Sequence, residues 1–224
     1  MLHSYCFATS HKPIRYTKVK RKENGYIMRS NNINDYLECT EIINFDDTNI
    51  QIIANKLIKT ESNNTNIIKI IYEFVRDKID HTFDINGKII TCIASDVLLN
   101  KQGICYAKSH LLAALLRYLK IPCGFGYQKL ILDDNDKNWI VLHGYNYVFL
   151  KDFNKWIKLD ARGNKKGVNA IFSIDKESLA FPIRIKKGES DENINHFQPK
   201  ENVINSLNIS RNLEELIMNL PKDY

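Results

Sequence analysis

The sequence lacks any apolar run approaching the roughly 20 residues that a membrane-spanning helix needs. Its first ten residues, MLHSYCFATS, have no basic stretch followed by an apolar one, so they do not read as a secretory signal. It has no C-x-x-C pair and no histidine pair at i, i+4, which removes the usual signatures of a zinc site. There are no internal repeats. The five cysteines, Cys6, Cys39, Cys92, Cys105 and Cys123, are odd in number and scattered, which argues against a disulfide framework and suits a reducing compartment. The expectation is a cytoplasmic protein without metal or cofactor, with no membrane partner. At 224 residues it is long enough for one substantial core.

Excess charge of one sign is present, but it is local. The whole chain carries +6, and residues 11–29 contain seven Lys/Arg against the single acid Glu23. That segment accounts for the whole excess, leaving a nearly neutral body, so nucleic-acid binding is not the expected role. The reading is a basic, flexible extension over 1–32 and a single domain over 33–224, with unknown oligomeric state.

Helical spacing dominates the first half. NDYLECTEIINF (34–45) reads as extended. DDTNIQIIANKLIK (46–59) has a cap signal and apolar residues at 50, 53, 57 and 58. NIIKIIYEFVRDKI (66–79) sets Ile67, Ile71, Phe74, Val75 and Ile79 on one face. Asn86-Gly87 signals a turn, and a short helix is expected from a Ser95 cap to Gly103. From Cys105 the residues Leu111, Leu112, Leu115, Leu116 and Leu119 form a wide apolar helix face, ended by Pro122. Segments 124–132, 138–151 and 155–161 are then rich in aromatic and β-branched residues, as antiparallel strands are. A helical pattern returns over 206–220. Helices first and strands later make the class α+β.

Three positions could do chemistry together: Cys105 at a helix start, His143 inside a strand and Asp160 at the end of the next. A helix N-terminus lowers a thiol's pKa and offers free N–H groups to an oxyanion. His143 supplies a base that becomes the acid for the leaving group. A hairpin turning at 151–154 would bring 143 and 160 within one to three register steps, so that Asp160 could orient the imidazole. Alternation sets His143 on the face of Trp139, Val141 and Tyr145, opposite Leu142, Val148 and Leu150. Taken singly, each residue has a plainer role: a core cysteine, a structural histidine, a turn-capping aspartate. His110 lies roughly 140° round the helix from Cys105 and is excluded as the base. His81 follows a helix in a loop, and nothing in its spacing ties it to the site.

These residues resemble the transglutaminase-like superfamily of papain-like fold. The likeness spans about residues 66–162 and rests on ASDVLLNKQGICYAKSHLLAALLRYLKIPCGFGYQKL, LHGYNYVFL and KWIKLDARGN. It implies an α+β fold with a nucleophile-bearing helix packed on an antiparallel sheet, in the manner of bacterial single-domain members. It also implies Cys105 as nucleophile, His143 as base and Asp160 as the orienting acid. Gln102, Tyr106, Gln128 and Arg162 are candidate oxyanion or substrate-binding residues. Tyr106 stands where animal cross-linking enzymes have Trp, Trp139 and Trp156 are poorly placed to line a dry amine tunnel, and no acidic cluster suggests calcium. The expected activity is therefore hydrolysis of a peptide or protein amide through a thioester. The alternatives are protein-glutamine transglutaminase or deamidase action and a non-catalytic binding module of the same fold.

Overall fold

The computed structural model describes residues 27–133 and 135–224, so most of the expected basic extension lies outside the described residues. Strand β1 (Ile27–Met28) opens the described chain. Helix α1 (Thr48–Ile58) starts at Asp47, whose carboxylate accepts from the N–H groups of Asn49 (2.8 Å) and Ile50 (3.1 Å). Helix α2 (Asn64–Lys78) is capped in the same way by Asn63. Two-residue strands β2 (Asp80–His81) and β3 (Gln102–Gly103) bracket helix α3 (Ala94–Asn100) and pair in parallel, setting His81 opposite Gly103.

Helix α4 (Cys105–Tyr118) is buried from Cys105 to Arg117, and α1, α2 and α3 pack round it. Ile50, Ala54, Ile68, Ile71, Val97, Leu111, Leu112 and Leu115 all belong to this core and are fully buried. A leucine in such a place contributes about 2–5 kcal/mol relative to alanine. A helix buried all round must also satisfy its polar residues. Lys108 donates to the carbonyls of Arg76 and Ile79, and His110 Nδ1 donates to the Cys92 carbonyl at 2.8 Å. Arg117 donates twice to the Cys123 carbonyl, at 3.1 and 2.8 Å. Lys120 takes a left-handed conformation (φ 60°) and turns the chain out of α4 ahead of Pro122.

The strands follow: β4 (Cys123–Asp133), β5 (Asp136–Leu150), β6 (Lys155–Leu159), β7 (Ser190–Asp191) and β8 (Ile194–Asn195). The main sheet has the order β6-β5-β4-β7, all antiparallel. Leu142, Val148 and Leu150 join the helix-side core, as alternation predicts, but Val141 and Trp139, expected on the opposite face, belong to the same cluster. On the other face Tyr145 and Tyr147 cluster with Tyr36, Trp156 and Met28. The β5–β6 turn falls at 151–154, as expected, with Asn154 left-handed at φ 48°.

Three expectations need correction. Residues 33–37 form a 3₁₀ turn, not an extended run, because the Asn32 side chain accepts from the N–H of Asn34. Ser95 does not cap α3: it lies inside the first turn, bonded to Asn44 at 2.8 Å, and Ile93 holds the cap position with no side-chain bond. The pattern over 206–220 is broken in two, α5 (Glu201–Ile209) and α6 (Leu213–Asn219), since Asn212 starts a fresh helix by accepting from the Glu215 N–H at 2.9 Å. β1 pairs in parallel with β8, and Met28 is buried. Among the described residues no helix is long and apolar enough to cross a membrane.

Candidate active site

Cys105 is the first residue of α4. Ile104 precedes it with no side-chain cap, leaving the first-turn N–H groups without a capping side chain among the described residues. The approach is tight: a Cβ on Gly103 would lie 3.0 Å from Ala107 Cβ and 3.1 Å from Thr91 Oγ1. Glycine at 103 lets the chain enter the helix against β2.

β5 brings His143 to this helix end. The β5–β6 register pairs Asn146 with Leu159, and continued past the end of β6 it sets Asp160 beside Tyr145, two residues from His143. The Asp160 carboxylate accepts from His143 Nε2 at 2.7 Å, and from the N–H groups of Ala180 (2.9 Å) and Arg162 (3.0 Å). Asp160 is fully buried, and that burial opposes its ionisation. The His143 charge and the two N–H donors nevertheless hold its pKa below the usual carboxylate value. Burial likewise opposes charging of His143. The negative charges of Asp160 and Cys105, each accepting a hydrogen bond from the ring, overcome it and push the imidazole up to about 10. Phe181 closes over the ring edge-on, centroid to centroid 5.1 Å.

Tyr106, the neighbour of Cys105, sets the strand's position. A Cβ on Gly144 would come within 2.9 Å of Tyr106 Cδ1, so the ring lies on the backbone just after His143. The Tyr106 hydroxyl donates to the carbonyl of Leu142, just before it. Leu142 N–H donates to the Pro221 carbonyl at 2.8 Å, so both backbone groups of Leu142 are satisfied from outside the sheet. The end of α4 thus abuts the strand at His143. This is how an imidazole on the face of Tyr145 reaches a sulfur on the helix side.

A cleft of about 580 Å³ opens over these groups, with Cys105 and His143 in its wall. Its lining includes the apolar Leu130, Leu132, Val141, Pro182 and Leu220, together with His81, the cluster of Asp84, Arg162 and Lys165, and the pair Arg184 and Glu189. Arg162 grips Asp84 through both terminal nitrogens (2.5 and 2.9 Å) and Lys165 reaches the same carboxylate at 2.6 Å. Burial would raise the Asp84 pKa, but these cations bring it well below the usual range.

Sequence reasoning fared unevenly on the four secondary candidates. Arg162 lines the cleft, yet its guanidinium is committed to Asp84 and its N–H to Asp160. The Tyr106 hydroxyl is committed to Leu142 and is not free for an oxyanion. Gln102 does not line the cleft: β3 pairs it with Asp80, and its Oε1 lies 2.1 Å from where a Cβ on Gly87 would be. Gln128 is buried in the sheet, between His143 on β5 and Asp191 on β7. His110, set aside as the base, bonds the Cys92 carbonyl, and burial pushes its pKa down to about 4. Missed altogether were Asp84, Lys165, Ala180, Phe181 and Leu220. They come from loops and a terminus with no motif of their own, and only folding carries them to the cleft.

An α+β fold with a cysteine heading a buried helix, against a strand histidine and its aspartate partner, is the architecture of thiol acyl-transfer proteins. The comparison with families agrees: residues 51–161 match the Transglutaminase-like superfamily, and the chain carries a domain of that superfamily. Among solved structures, a cysteine-protease candidate from Cytophaga hutchinsonii aligns at 20% identity and TM-score 0.49, covering 59% of this chain and 43% of that one. A protease candidate from Parabacteroides distasonis aligns at 14% identity and TM-score 0.37, covering 67% of this chain and 30% of that one. The chain thus spans less than half the length of either. A comparison with curated proteins finds no match.

Proposed function

We propose that the protein hydrolyses an amide bond of a peptide or protein through a thioester on Cys105, with His143 and Asp160 completing a triad. The observation that carries this reading is the buried chain of contacts from Asp160 through His143 Nε2 (2.7 Å) to the Cys105 thiol in the wall of a cleft. With its pKa raised to about 10, His143 keeps a proton at neutral pH, ready for a leaving group.

The sulfur attacks the carbonyl carbon, a C–S bond forms, and the carbonyl π electrons move to oxygen. N–H groups at the start of α4 face that oxygen. The intermediate collapses, the C–N bond breaks, and the imidazolium proton leaves with the amine. Water then adds to the thioester as His143 takes one of its protons. The C–S bond breaks, a carboxylic acid departs, and sulfur and imidazole return to their starting state. Asp160 holds the imidazole with Nε2–H toward itself, leaving Nδ1 for the sulfur. The apolar residues of the cleft lining favour a substrate that carries an apolar side chain. Neither Trp139 nor Trp156 lines the cleft, and Trp156 is packed against Tyr36 at 4.8 Å, so no tryptophan tunnel shields the thioester from water.

The test is iodoacetamide labelling near neutral pH. Burial pushes the thiols of Cys92 and Cys123 up to about 12, which silences them as competitors. Cys105 is expected to alkylate about tenfold or more faster than Cys39 and Cys6, with the advantage removed by His143→Ala. Equal, slow labelling of all five would refute the reading and favour a binding module. Incubation with a glutamine peptide and a small primary amine separates the reactions by mass: cleavage, amide-to-acid conversion or an amine conjugate.

A further inference from the structure

The cleft holds a second histidine that the mechanism above leaves idle. His81 ends β2 opposite Gly103 of β3, so the strand pairing fixes it beside the segment leading into Cys105. Its ring lines the cleft and is 8% exposed. Nδ1 is shut off from solvent with no hydrogen-bond partner among the described residues. A buried ring nitrogen left this way is uncommon, because it forfeits its bonds to water for nothing in return. Phe83 packs beside the ring, centroids 5.8 Å apart.

The charged groups acting on His81 are Arg162, Lys108 and His143 on one side of the balance and Asp84 on the other. Burial, then Arg162, hold its pKa well below the ordinary histidine value, with Asp84 opposing. The two histidines of one cleft are therefore driven to opposite states: His143 charged and paired, His81 neutral with its Nδ1 unpartnered among the described residues. Environments that push like groups apart in this way assign them different roles.

Resting on the acyl-enzyme reading, we propose that His81 is an oxyanion donor: neutral, with its proton on Nε2, it hydrogen-bonds the substrate's carbonyl oxygen as Cys105 attacks. No proton is transferred, and the bond supplements the backbone donors at the start of α4. A charged imidazolium in the cleft would favour the resting thiolate as well as the oxyanion and so gain less in rate. A neutral donor acts when negative charge moves to oxygen, which is when the stabilisation raises the rate. The role fills the position for which Gln102 was the sequence candidate.

The test needs no knowledge of the natural substrate. A peptide aldehyde ending in a leucine analogue adds to a cysteine sulfur, forming a C–S bond and placing the former carbonyl oxygen where an oxyanion would lie. Its protection of Cys105 against iodoacetamide gives a dissociation constant, while alkylation without aldehyde reads the Cys105–His143 pair alone. His81→Leu is expected to weaken protection about tenfold or more, while unprotected alkylation stays within about twofold of wild type. His81→Gln, which keeps an N–H donor, recovers most of the protection and serves as the second variant if His81→Leu fails to fold. Protection unchanged in both variants would overturn the proposal. So would a parallel fall in alkylation, which would make His81 a support for the Cys105–His143 pair. If wild-type Cys105 shows no selective alkylation, it is the acyl-enzyme reading that has failed, and this proposal falls with it.

Discussion

Removing one oxygen atom from Tyr106 tests whether helix and strand are locked together at the site. Tyr106→Phe keeps the ring against Gly144 and deletes only the bond to the Leu142 carbonyl. Tyr106 is 1% exposed, so water has little access to replace the lost donor. Burial, with the Cys105 charge, also drives the phenol's pKa well above its ordinary value, so the hydroxyl remains a protonated donor at any working pH. A buried carbonyl stripped of its partner costs about 1–3 kcal/mol. In a chain of this size each kcal/mol lowers the melting temperature by about 2–4 °C. Because Leu142 directly precedes His143, the loosened strand should also slow alkylation of Cys105. Thermal unfolding and labelling rates on the same preparation check both effects. A variant as stable and as reactive as wild type would refute the claim that this contact positions the imidazole.

Other expectations follow from the same geometry. Gly144→Ala should harm more than Tyr106→Phe, because its new Cβ would stand 2.9 Å from the Tyr106 ring; circular dichroism and unfolding measure the loss. Asp160→Asn should cut turnover by about 10³–10⁴, since the amide neither holds the charged imidazole nor enforces its tautomer; a loss below tenfold would remove Asp160 from the mechanism. The imidazole pKa of about 10 places the alkaline limb of activity near pH 10, and a pH–rate profile falling near 6.5 would contradict the pairing with Asp160. Lys108 supplies a pH effect on stability. Burial, then Arg162, lower its pKa from 10.5 to about 7, so between those values the unfolded chain binds more protons and the Lys108 contribution rises with pH. His143, raised to about 10, contributes in the opposite sense: its stabilisation is complete below 6.5 and is lost as pH climbs through 10. Denaturant titrations of wild type and Lys108→Met, compared from pH 7 to 10, isolate the lysine. The difference in stability between the two should change by up to about 4 kcal/mol across that range, and a constant difference would refute the lowered pKa of Lys108.

The sequence by itself determined the local elements and the chemistry-bearing types. Apolar spacing from Leu111 to Leu119 made α4 legible, and aromatic and β-branched runs made β4, β5 and β6 legible, because period and composition act over a few residues. Cys105, His143 and Asp160 stood out since each occupies an end or a strand position visible in one dimension, and the turn at 151–154 bounded their register. Caps were less legible: Ser95 and the 206–220 pattern misled because side-chain partners such as Asn44, and a second cap at Asn212, compete locally with the helix. Only the tertiary structure decided the cleft. It turned Gln102 toward Gly87, sank Gln128 into the sheet, tied Arg162 to Asp84, and carried Ala180, Phe181 and Leu220 to a site distant from them in sequence. Side-chain direction at those positions depends on which surfaces pack and on where buried polar groups find partners, and no short-range pattern encodes either.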